Sequence, residues 1–275
     1  WCVLCQGASI IAGGLVGRQF SARLRKRPGM SLSQPAVSSK GAGASPRALP
    51  AAIAASLAAV AIATYLAVTI DRFGWDLDIS LWTQKLDMGA VRFVRSWLFW
   101  MGQVGVAGIV LLVTTGYLWF RGYLVEAAFV GLTAIPNFFN FALRSAIGRP
   151  RPTMDLVEVM GGPQGFSFPS GHALHVLFFY GFLLYLAATL LPNRRLVRAL
   201  MITGAVYLPL SGLWLIYDGR HWFTDVAGGY LYGILYLLLW VAAYRWTRCE
   251  VEEKGRSRPL VRILSLRRRM PRTHA

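Results

Sequence analysis

Several stretches of this chain are apolar for long enough to cross a lipid bilayer, and this feature limits the folds open to it. A transmembrane helix needs about 20 predominantly apolar residues. Such runs recur along the 275-residue chain, in which 55% of the residues are hydrophobic and only 15% are charged. Because backbone groups in lipid must pair with one another, the sequence predicts an all-α, polytopic membrane protein.

Six segments define the predicted transmembrane bundle. They are Ala51–Ile70, Trp97–Trp119, Tyr123–Ala146, Ala173–Leu191, Ala199–Tyr217 and Val226–Tyr244. Between the first and the second, one helical face over residues 71–95 collects Ile79, Trp82, Leu86, Ala90 and Phe93. This spacing predicts an amphipathic helix lying at the membrane surface. We therefore expect a six-helix domain at residues 51–246, between a basic flexible tail (1–50) and a second basic tail (247–275).

Lysine and arginine are distributed unevenly between the two predicted membrane faces. If both tails lie on one side, that side holds 21 of the 29 basic residues and the other holds 8. The positive-inside rule then places both termini in the cytoplasm. Basic tails also attract anionic lipid headgroups, so the net charge of +17 requires no nucleic-acid partner.

The sequence offers little for a metal or a disulfide framework. The three cysteines, Cys2, Cys5 and Cys249, lie near the chain ends. Cys2-x-x-Cys5 has no second Cys or His pair nearby to complete a zinc site. No acidic cluster resembles a magnesium site either, so we expect chemistry without a metal or cofactor.

Three polar segments fall at predicted helix ends on the outer membrane face. The first runs from Arg144 through Arg149 to Arg151, the second is Ser170-Gly171-His172, and the third is His221 to Asp225. Because the six helices fold back on one another, these ends can meet at one face. This predicted convergence is what makes the segments candidates for a site.

The residue types suit the binding of an oxyanion and its chemistry. Guanidiniums near a membrane boundary either snorkel to lipid headgroups or clamp an oxyanion. Ser170 is a typical N-cap and Gly171 admits an anion to the free N–H groups of a helix start. In His221-x-x-x-Asp225 the carboxylate lies one helical turn from the imidazole, which serves either a structural hydrogen bond or an activated nucleophile. Phosphoryl transfer would use one histidine to attack phosphorus and another to protonate the leaving alkoxide.

These motifs resemble the type 2 phosphatidic acid phosphatase (PAP2) superfamily of six-helix membrane phosphatases. The family pattern has three blocks: Lys-x6-Arg-Pro, Pro-Ser-Gly-His and Ser-Arg-x5-His-x3-Asp. Here the first is Arg144-x6-Arg151-Pro152, with Arg in place of Lys, and the second is Pro169-Ser170-Gly171-His172 without change. The third keeps His221 and Asp225, but Trp214 and Leu215 stand at its Ser-Arg positions. The resemblance covers roughly residues 51–246.

The resemblance implies a role for each matching residue. His221 would be the nucleophile that forms a phosphohistidine, Asp225 would orient it, and His172 would be the general acid. Arg144, Arg151, Ser170 and the Gly171 amide would hold the phosphate. Leu215 removes one phosphate ligand, for which Arg149 and Arg220 are the candidate substitutes; we favour Arg149 because it lies within the first block.

The first functional hypothesis is therefore a metal-independent membrane phosphatase. Its substrate would be a lipid phosphate or diphosphate: phosphatidate, phosphatidylglycerophosphate or a polyprenyl diphosphate, met at the outer, periplasmic face. The alternative is a non-catalytic lipid-phosphate binder or transporter on the same fold, because the third-block Arg is absent. Vanadate-dependent haloperoxidase activity, known in relatives of the family, is disfavoured by the membrane-embedded chain.

Overall fold

The computed structural model describes residues 47–86 and 104–256, and every regular element within those ranges is helical. The α-helices there are α1 (Ala48–Thr69), α2 (Gly74–Gln84), α3 (Val104–Phe120), α4 (Leu124–Gly131), α5 (Ile135–Ile147), α6 (Gly171–His175), α7 (Gly181–Leu190), α8 (Arg194–Tyr217) and α9 (Phe223–Arg256). A 3₁₀ turn at Leu132–Ala134 joins α4 to α5, and a π-turn at Val176–Tyr180 joins α6 to α7. The predicted all-α class is confirmed.

Five helical segments are long and apolar enough to cross a membrane. They are Ala48–Thr69, Leu124–Ile147, Gly171–Leu190, Arg194–Tyr217 and Phe223–Glu253. Their large apolar side chains often face outward, as in Phe138, which is 77% exposed. The described part of the predicted second span is α3, with 17 residues. Residues 97–103 of that span lie outside the described ranges, so the count of six spans stays a prediction.

Two helices, α8 and α9, extend five or more residues beyond a predicted bound. Helix α8 begins at Arg194 rather than Ala199, because the Asn193 side-chain oxygen accepts hydrogen bonds from the Arg195 and Leu196 amides at 3.0 and 3.2 Å. Helix α9 continues past Tyr244 to Arg256. Residues 242–256 belong to a compact unit separate from Lys40–Val241. Most of the two predicted tails lies outside the described residues.

Helix α2 turns a polar face inward, which the hydrophobic pattern did not predict. Asp76, Ser80 and Thr83 are fully buried, whereas Trp82 is 60% exposed. An exposed tryptophan is typical of a helix at a lipid–water boundary. The buried face carries a carboxylate that needs a cation as its partner. The membrane-surface position of this segment stays a prediction, and its residues Ala90 and Phe93 lie outside the described ranges.

Glycines in α9 let the helix that begins at Gly171 pack closely against it. A Cβ atom at Gly229 would lie 2.5 Å from the backbone oxygen of Ser170, and one at Gly233 would lie 3.1 Å from that of Leu174. Only a residue without a side chain permits this approach at Gly229. The close packing brings the Ser170-Gly171-His172 segment beside the first turns of α9.

Gly229→Ala is expected to destabilise the protein because the added methyl group meets backbone that cannot rotate away. Overpacking of this kind costs about 1–3 kcal/mol. Thermal unfolding of the purified protein in detergent should show a lower midpoint. Gly116→Ala in α3 is the matched control, since no described atom outside its own helix lies within 4 Å of a Cβ there. Equal midpoints for the two variants would contradict the close-packing account.

Candidate active site

The described residues enclose a cavity of about 530 Å³ to which all three predicted segments contribute. Its polar lining consists of Asn140, Arg144, Arg151, Gln164, His172, His175, Arg220 and His221. Its apolar lining consists of Ala107, Gly108, Leu111, Ala134, Pro163, Gly171 and Leu215. Three guanidiniums thus share one cavity, and the lining given by the described residues contains no carboxylate. Such a cavity favours an anionic ligand.

The arginine-rich loop is held to the segment before Gly171 by hydrogen bonds. Gly148 ends α5 in a left-handed conformation (φ 73°), and its amide donates to the Arg144 carbonyl at 2.9 Å. The Ser167 amide donates to the Arg149 carbonyl at 2.9 Å, and the Ser167 hydroxyl donates to the Pro150 carbonyl at 3.0 Å. These bonds fix the loop after α5 beside the start of α6.

His221 lies between a guanidinium and a carboxylate. Its Nε2 is 3.3 Å from Nη1 of Arg151, and its Nδ1 is 3.7 Å from Oδ2 of Asp225. The second distance is that of an ion pair rather than of a formed hydrogen bond. Burial lowers the pKa of His221 below its ordinary value; Asp225 acts in the opposite direction, and Arg151 lowers the pKa further. The ring is therefore neutral near pH 7.

Asp225 is fully buried and held on several sides. Its Oδ1 accepts from Arg149 Nη1 at 2.6 Å, and its Oδ2 accepts from the Trp222 amide at 2.8 Å. The Asp225 carbonyl also accepts from the Ser170 amide at 3.0 Å, which links the second and third segments directly. The carboxylate can therefore fix the direction in which the His221 ring points.

Arg151 and Arg144 bring positive charge to the cavity. Arg151 Nε donates to the Gly165 carbonyl at 3.0 Å, and its Nη1 donates to the Arg220 carbonyl. Burial, and next the neighbouring Arg144, lower the pKa of Arg151 to about 10, so the group is still charged at neutral pH. Arg144 has a buried Nε with no hydrogen-bond partner among the described residues. A bound anion would supply that partner.

The second segment forms the start of a helix, as predicted. Ser170 is its N-cap, and the Ser170 hydroxyl oxygen accepts from the Ala173 amide at 3.4 Å. Ser170 is fully buried and is not among the cavity-lining residues, whereas Gly171 and His172 are. His175 also lines the cavity and stacks on the Phe179 ring, with centroids 5.2 Å apart.

Arg149 does not reach this cavity. Its guanidinium bridges two buried carboxylates, Asp76 at 3.0 Å and Asp225 at 2.6 Å. It also donates to the Thr224 hydroxyl at 2.7 Å and to the Asp71 carbonyl at 3.0 Å. With its donors committed in this way, Arg149 is badly placed for the phosphate-binding role that the sequence predicted. The structure places it behind the His221–Asp225 pair instead.

Arg220 is the other residue that the sequence offers as a substitute for the third-block Arg. It lines the cavity together with Leu215, the residue at the third-block Arg position. The turn that carries it is closed by hydrogen bonds from the Arg220 and His221 amides to the Leu215 carbonyl, at 3.0 and 3.3 Å. Gly219 adopts the positive φ (62°) that this turn requires. It also packs closely against Glu158, whose carbonyl oxygen would lie 2.1 Å from a Cβ at this position.

Candidate metal ligands are not grouped around the cavity. Within residues 47–86 and 104–256, no three His, Cys, Asp or Glu side chains are arranged to hold a metal ion. The expectation of metal-independent chemistry remains a prediction for experiment.

Comparison with known proteins gives two relatives. Over 105 residues the chain is 31% identical to "Phosphatidylglycerophosphatase B" of Bacillus subtilis (strain 168), covering 38% of this chain and 50% of that protein. The chain thus matches about half the length of this curated relative. The fold resembles the "first transmembrane PAP2 type phosphatidylglycerolphosphate phosphatase from Bacillus subtilis", with a TM-score of 0.59 and 20% identity, covering 67% of this chain and 94% of that one.

The family match covers the whole candidate site. The model of the PAP2 superfamily aligns with residues 126–249, a range that includes all three motif segments. The fold likeness to a transmembrane member of this superfamily agrees with the integral membrane character of the chain. Residues 126–249 therefore match the PAP2 superfamily, the family that the three motif segments resemble.

Proposed function

We propose that this protein is a metal-independent membrane phosphatase that releases phosphate from a lipid phosphate through a phosphohistidine. The observation that carries the proposal is the placement of His221, with Nδ1 facing Asp225 at 3.7 Å and Nε2 facing Arg151 at 3.3 Å inside the cavity. Its relationship to a phosphatidylglycerophosphatase supports the same reaction class.

In the first half-reaction, Nε2 of neutral His221 attacks phosphorus. The bond between phosphorus and the lipid oxygen breaks as the bond between phosphorus and nitrogen forms. His172, in the same cavity, gives its proton to the departing alkoxide. Asp225 stabilises the positive charge that develops on the His221 ring and holds the Nδ1 proton.

In the second half-reaction, water attacks the phosphohistidine. His172, now neutral, accepts a proton from that water, and the bond between phosphorus and nitrogen breaks. Inorganic phosphate leaves, and His221 and His172 regain their initial protonation states. Both histidines thus act twice, which explains why the cavity needs two of them.

The guanidiniums that line the cavity stabilise the phosphoryl oxygens. Arg144 and Arg151 take the roles implied by the first motif block, and the Gly171 amide and the Ser170 N-cap shape the helix start beside them. Arg220, rather than Arg149, compensates for the missing third-block Arg, because Arg220 lines the cavity and Arg149 does not.

The substrate that we propose first is phosphatidylglycerophosphate, with phosphatidate and polyprenyl diphosphate as further candidates. One wall of the cavity is apolar, formed by Ala107, Gly108 and Leu111 of α3, and suits the part of a lipid next to its phosphate. Both termini would lie in the cytoplasm and the cavity at the outer face, with anionic lipid headgroups at the basic tails. The six-helix domain would comprise residues 51–246.

Phosphate release by the purified full-length chain in detergent tests this function. The substrates would be phosphatidylglycerophosphate, phosphatidate and a polyprenyl diphosphate, each with and without EDTA. We expect turnover of at least one lipid in EDTA and inhibition by vanadate, which resembles five-coordinate phosphorus. Loss of activity in EDTA, restored by a divalent metal, would contradict the proposed reaction class.

The acid side of the pH profile should report the titration of His221. Protonation removes its nucleophilic lone pair, and burial lowers its pKa below the ordinary 6.5. Activity should therefore persist as pH falls through 6.5 and be lost only at lower pH. Because Asp225 raises the His221 pKa, Asp225→Asn should move this limb further down in pH while lowering the rate.

The Asp225→Asn comparison also distinguishes titration of His221 from titration of the substrate phosphate. The second ionisation of a phosphomonoester has a pKa near 6 and does not change between the two enzymes. The measurement is kcat/KM of both proteins on one substrate from pH 4 to pH 8. An acid limb at the same pH in both proteins would argue against titration of His221.

Leu215 favours a second candidate, a non-catalytic lipid-phosphate binder or transporter. This side chain presents an apolar surface to the cavity at the position where the family has an Arg. Under that alternative the protein binds lipid phosphate without releasing inorganic phosphate. Leu215→Arg distinguishes the two, because it should leave a binder without turnover but preserve or raise the turnover of an enzyme.

A further inference from the structure

Asn140 is a polar residue of the cavity that the sequence motifs do not include. It lies on α5 one helical turn before Arg144, and both residues line the cavity. Asn140 is only 3% exposed. A residue four positions from Arg144 shares its face of the helix, so an anion held by Arg144 also lies within reach of the Asn140 amide.

The Asn140 amide is incompletely paired by protein groups. Its Oδ1 is buried and has no hydrogen-bond partner among the described residues. Its Nδ2 lies at the start of α6, where a Cβ added to Gly171 would be only 2.8 Å away. Burying an unpaired amide is costly. The unpaired Oδ1 is an acceptor and a phosphoryl oxygen is one too, so the case for a donor rests on Nδ2, which lies beside Gly171 in a cavity that both residues line.

Gly171 makes room for this amide. A side chain at position 171 would meet Nδ2 and force Asn140 away from the helix start. The glycine of the second motif block therefore does more here than expose its own N–H group. It allows an amide from α5 to reach the region where the proposed phosphate would meet the Gly171 amide.

Leu215 leaves room in the cavity for a further donor beside Arg220. The family resemblance implies an Arg at this position, and Leu215 presents only apolar atoms to the same cavity. A neutral amide restores a hydrogen-bond donor without adding a further positive charge beside Arg144, Arg151 and Arg220. Repulsion among those guanidiniums is a cost that a further positive charge would increase.

We propose that Asn140 donates a hydrogen bond from Nδ2 to a phosphoryl oxygen of the substrate and of the transition state. This inference rests on the proposed function, since it assigns one more ligand to the same phosphate. It differs from recognition of a hydroxyl group in the lipid headgroup, for which the Asn140 oxygen would act as acceptor.

Two substitutions at this position distinguish a donor from an acceptor. Asn140→Ala removes the donor and should lower kcat/KM roughly tenfold to a hundredfold. Asn140→Asp keeps the size and the acceptor but places a carboxylate beside the phosphate, so kcat/KM should fall at least about tenfold further. Ser145→Ala on the same helix is the control, because Ser145 is exposed and its hydroxyl donates to the Phe141 carbonyl of its own helix at 3.2 Å.

Protection by vanadate gives a second measurement that needs no turnover. Vanadate that binds the folded protein raises its unfolding temperature. We expect a clear rise for the wild type and for Ser145→Ala, a smaller one for Asn140→Ala and almost none for Asn140→Asp. Unfolding temperatures without vanadate show whether each variant is folded.

The outcomes separate this inference from the proposed function. A wild type that binds vanadate but releases no phosphate would refute the function, and the vanadate series would still decide the role of Asn140. Activity of Asn140→Asp equal to or above that of Asn140→Ala would overturn the donor role. So would equal vanadate protection of the wild type and both folded variants.

Discussion

Replacing His221 with alanine is expected to abolish phosphate release while the protein remains folded. The substitution removes the atom that forms the bond to phosphorus, and within the described residues His221 is the histidine placed between Asp225 and Arg151. Loss of a nucleophile should lower kcat roughly a hundredfold or more. His172→Ala should cause a loss of similar size with lipid substrates, because an alkoxide leaves poorly without a proton.

The leaving group distinguishes the two histidines. An aryl phosphate releases a phenolate that needs little protonation, so it should restore much of the rate to His172→Ala but none to His221→Ala. His175→Ala is the matched control, since His175 lines the same cavity but its ring stacks on Phe179. We expect that variant to lose far less activity than the other two. Rescue of His221→Ala by the aryl substrate would contradict its role as nucleophile.

The helical architecture followed from the sequence because each part of its signal is local. The apolar runs predicted the five helical segments that are long and apolar enough to cross a membrane. The Pro-Ser-Gly-His motif predicted a helix start with Ser170 as N-cap, and the structure has both. The three motif segments meet in one cavity because each lies at the end of a helix and the helices reverse direction. The catalytic roles of these residues remain predictions.

Contacts between distant parts of the chain explain what the sequence did not predict. The pattern in α2 indicated an apolar face, but nothing near Asp76 in sequence showed that its partners are Arg149 and Thr224. The ion pair between Arg149 and Asp76 also keeps Arg149 away from the cavity, so the sequence alone did not show that Arg220 is the arginine that lines it. In the sequence Asn140 is only a polar residue in an apolar helix, because its relation to Gly171 exists only in the folded chain.

Arg149→Ala is expected to have a large effect on stability, which Arg220→Ala should not have. The first substitution leaves Asp76 and Asp225 buried together without their shared cation. Breaking a buried ion pair from one side costs about 3–5 kcal/mol. Activity should fall as well, since Asp225 loses the group that fixes its Oδ1. Thermal unfolding in detergent and phosphate release would be measured on the same preparations.

Arg220→Ala should lower turnover with little change in the unfolding temperature. The Arg220 side chain is partly exposed, and its Nε lies 3.9 Å from Asp218, a longer contact than either of those made by Arg149. Its contribution, as proposed, is to the bound phosphate rather than to the fold. If Arg149→Ala kept its unfolding temperature and lost activity through a higher KM alone, direct phosphate binding by Arg149 would be the better account.

A second substitution separates the structural effect of Arg149 from its effect on Asp225. Asp76→Asn in the Arg149→Ala background removes one of the two uncompensated charges, so part of the lost stability should return. Activity should not return to the same extent, because Asp225 still lacks the guanidinium that holds Oδ1 at 2.6 Å. Recovery of both in parallel would mean that Arg149 serves the fold alone. Recovery of stability without activity would identify Arg149 as a positioning residue that acts on His221 through Asp225.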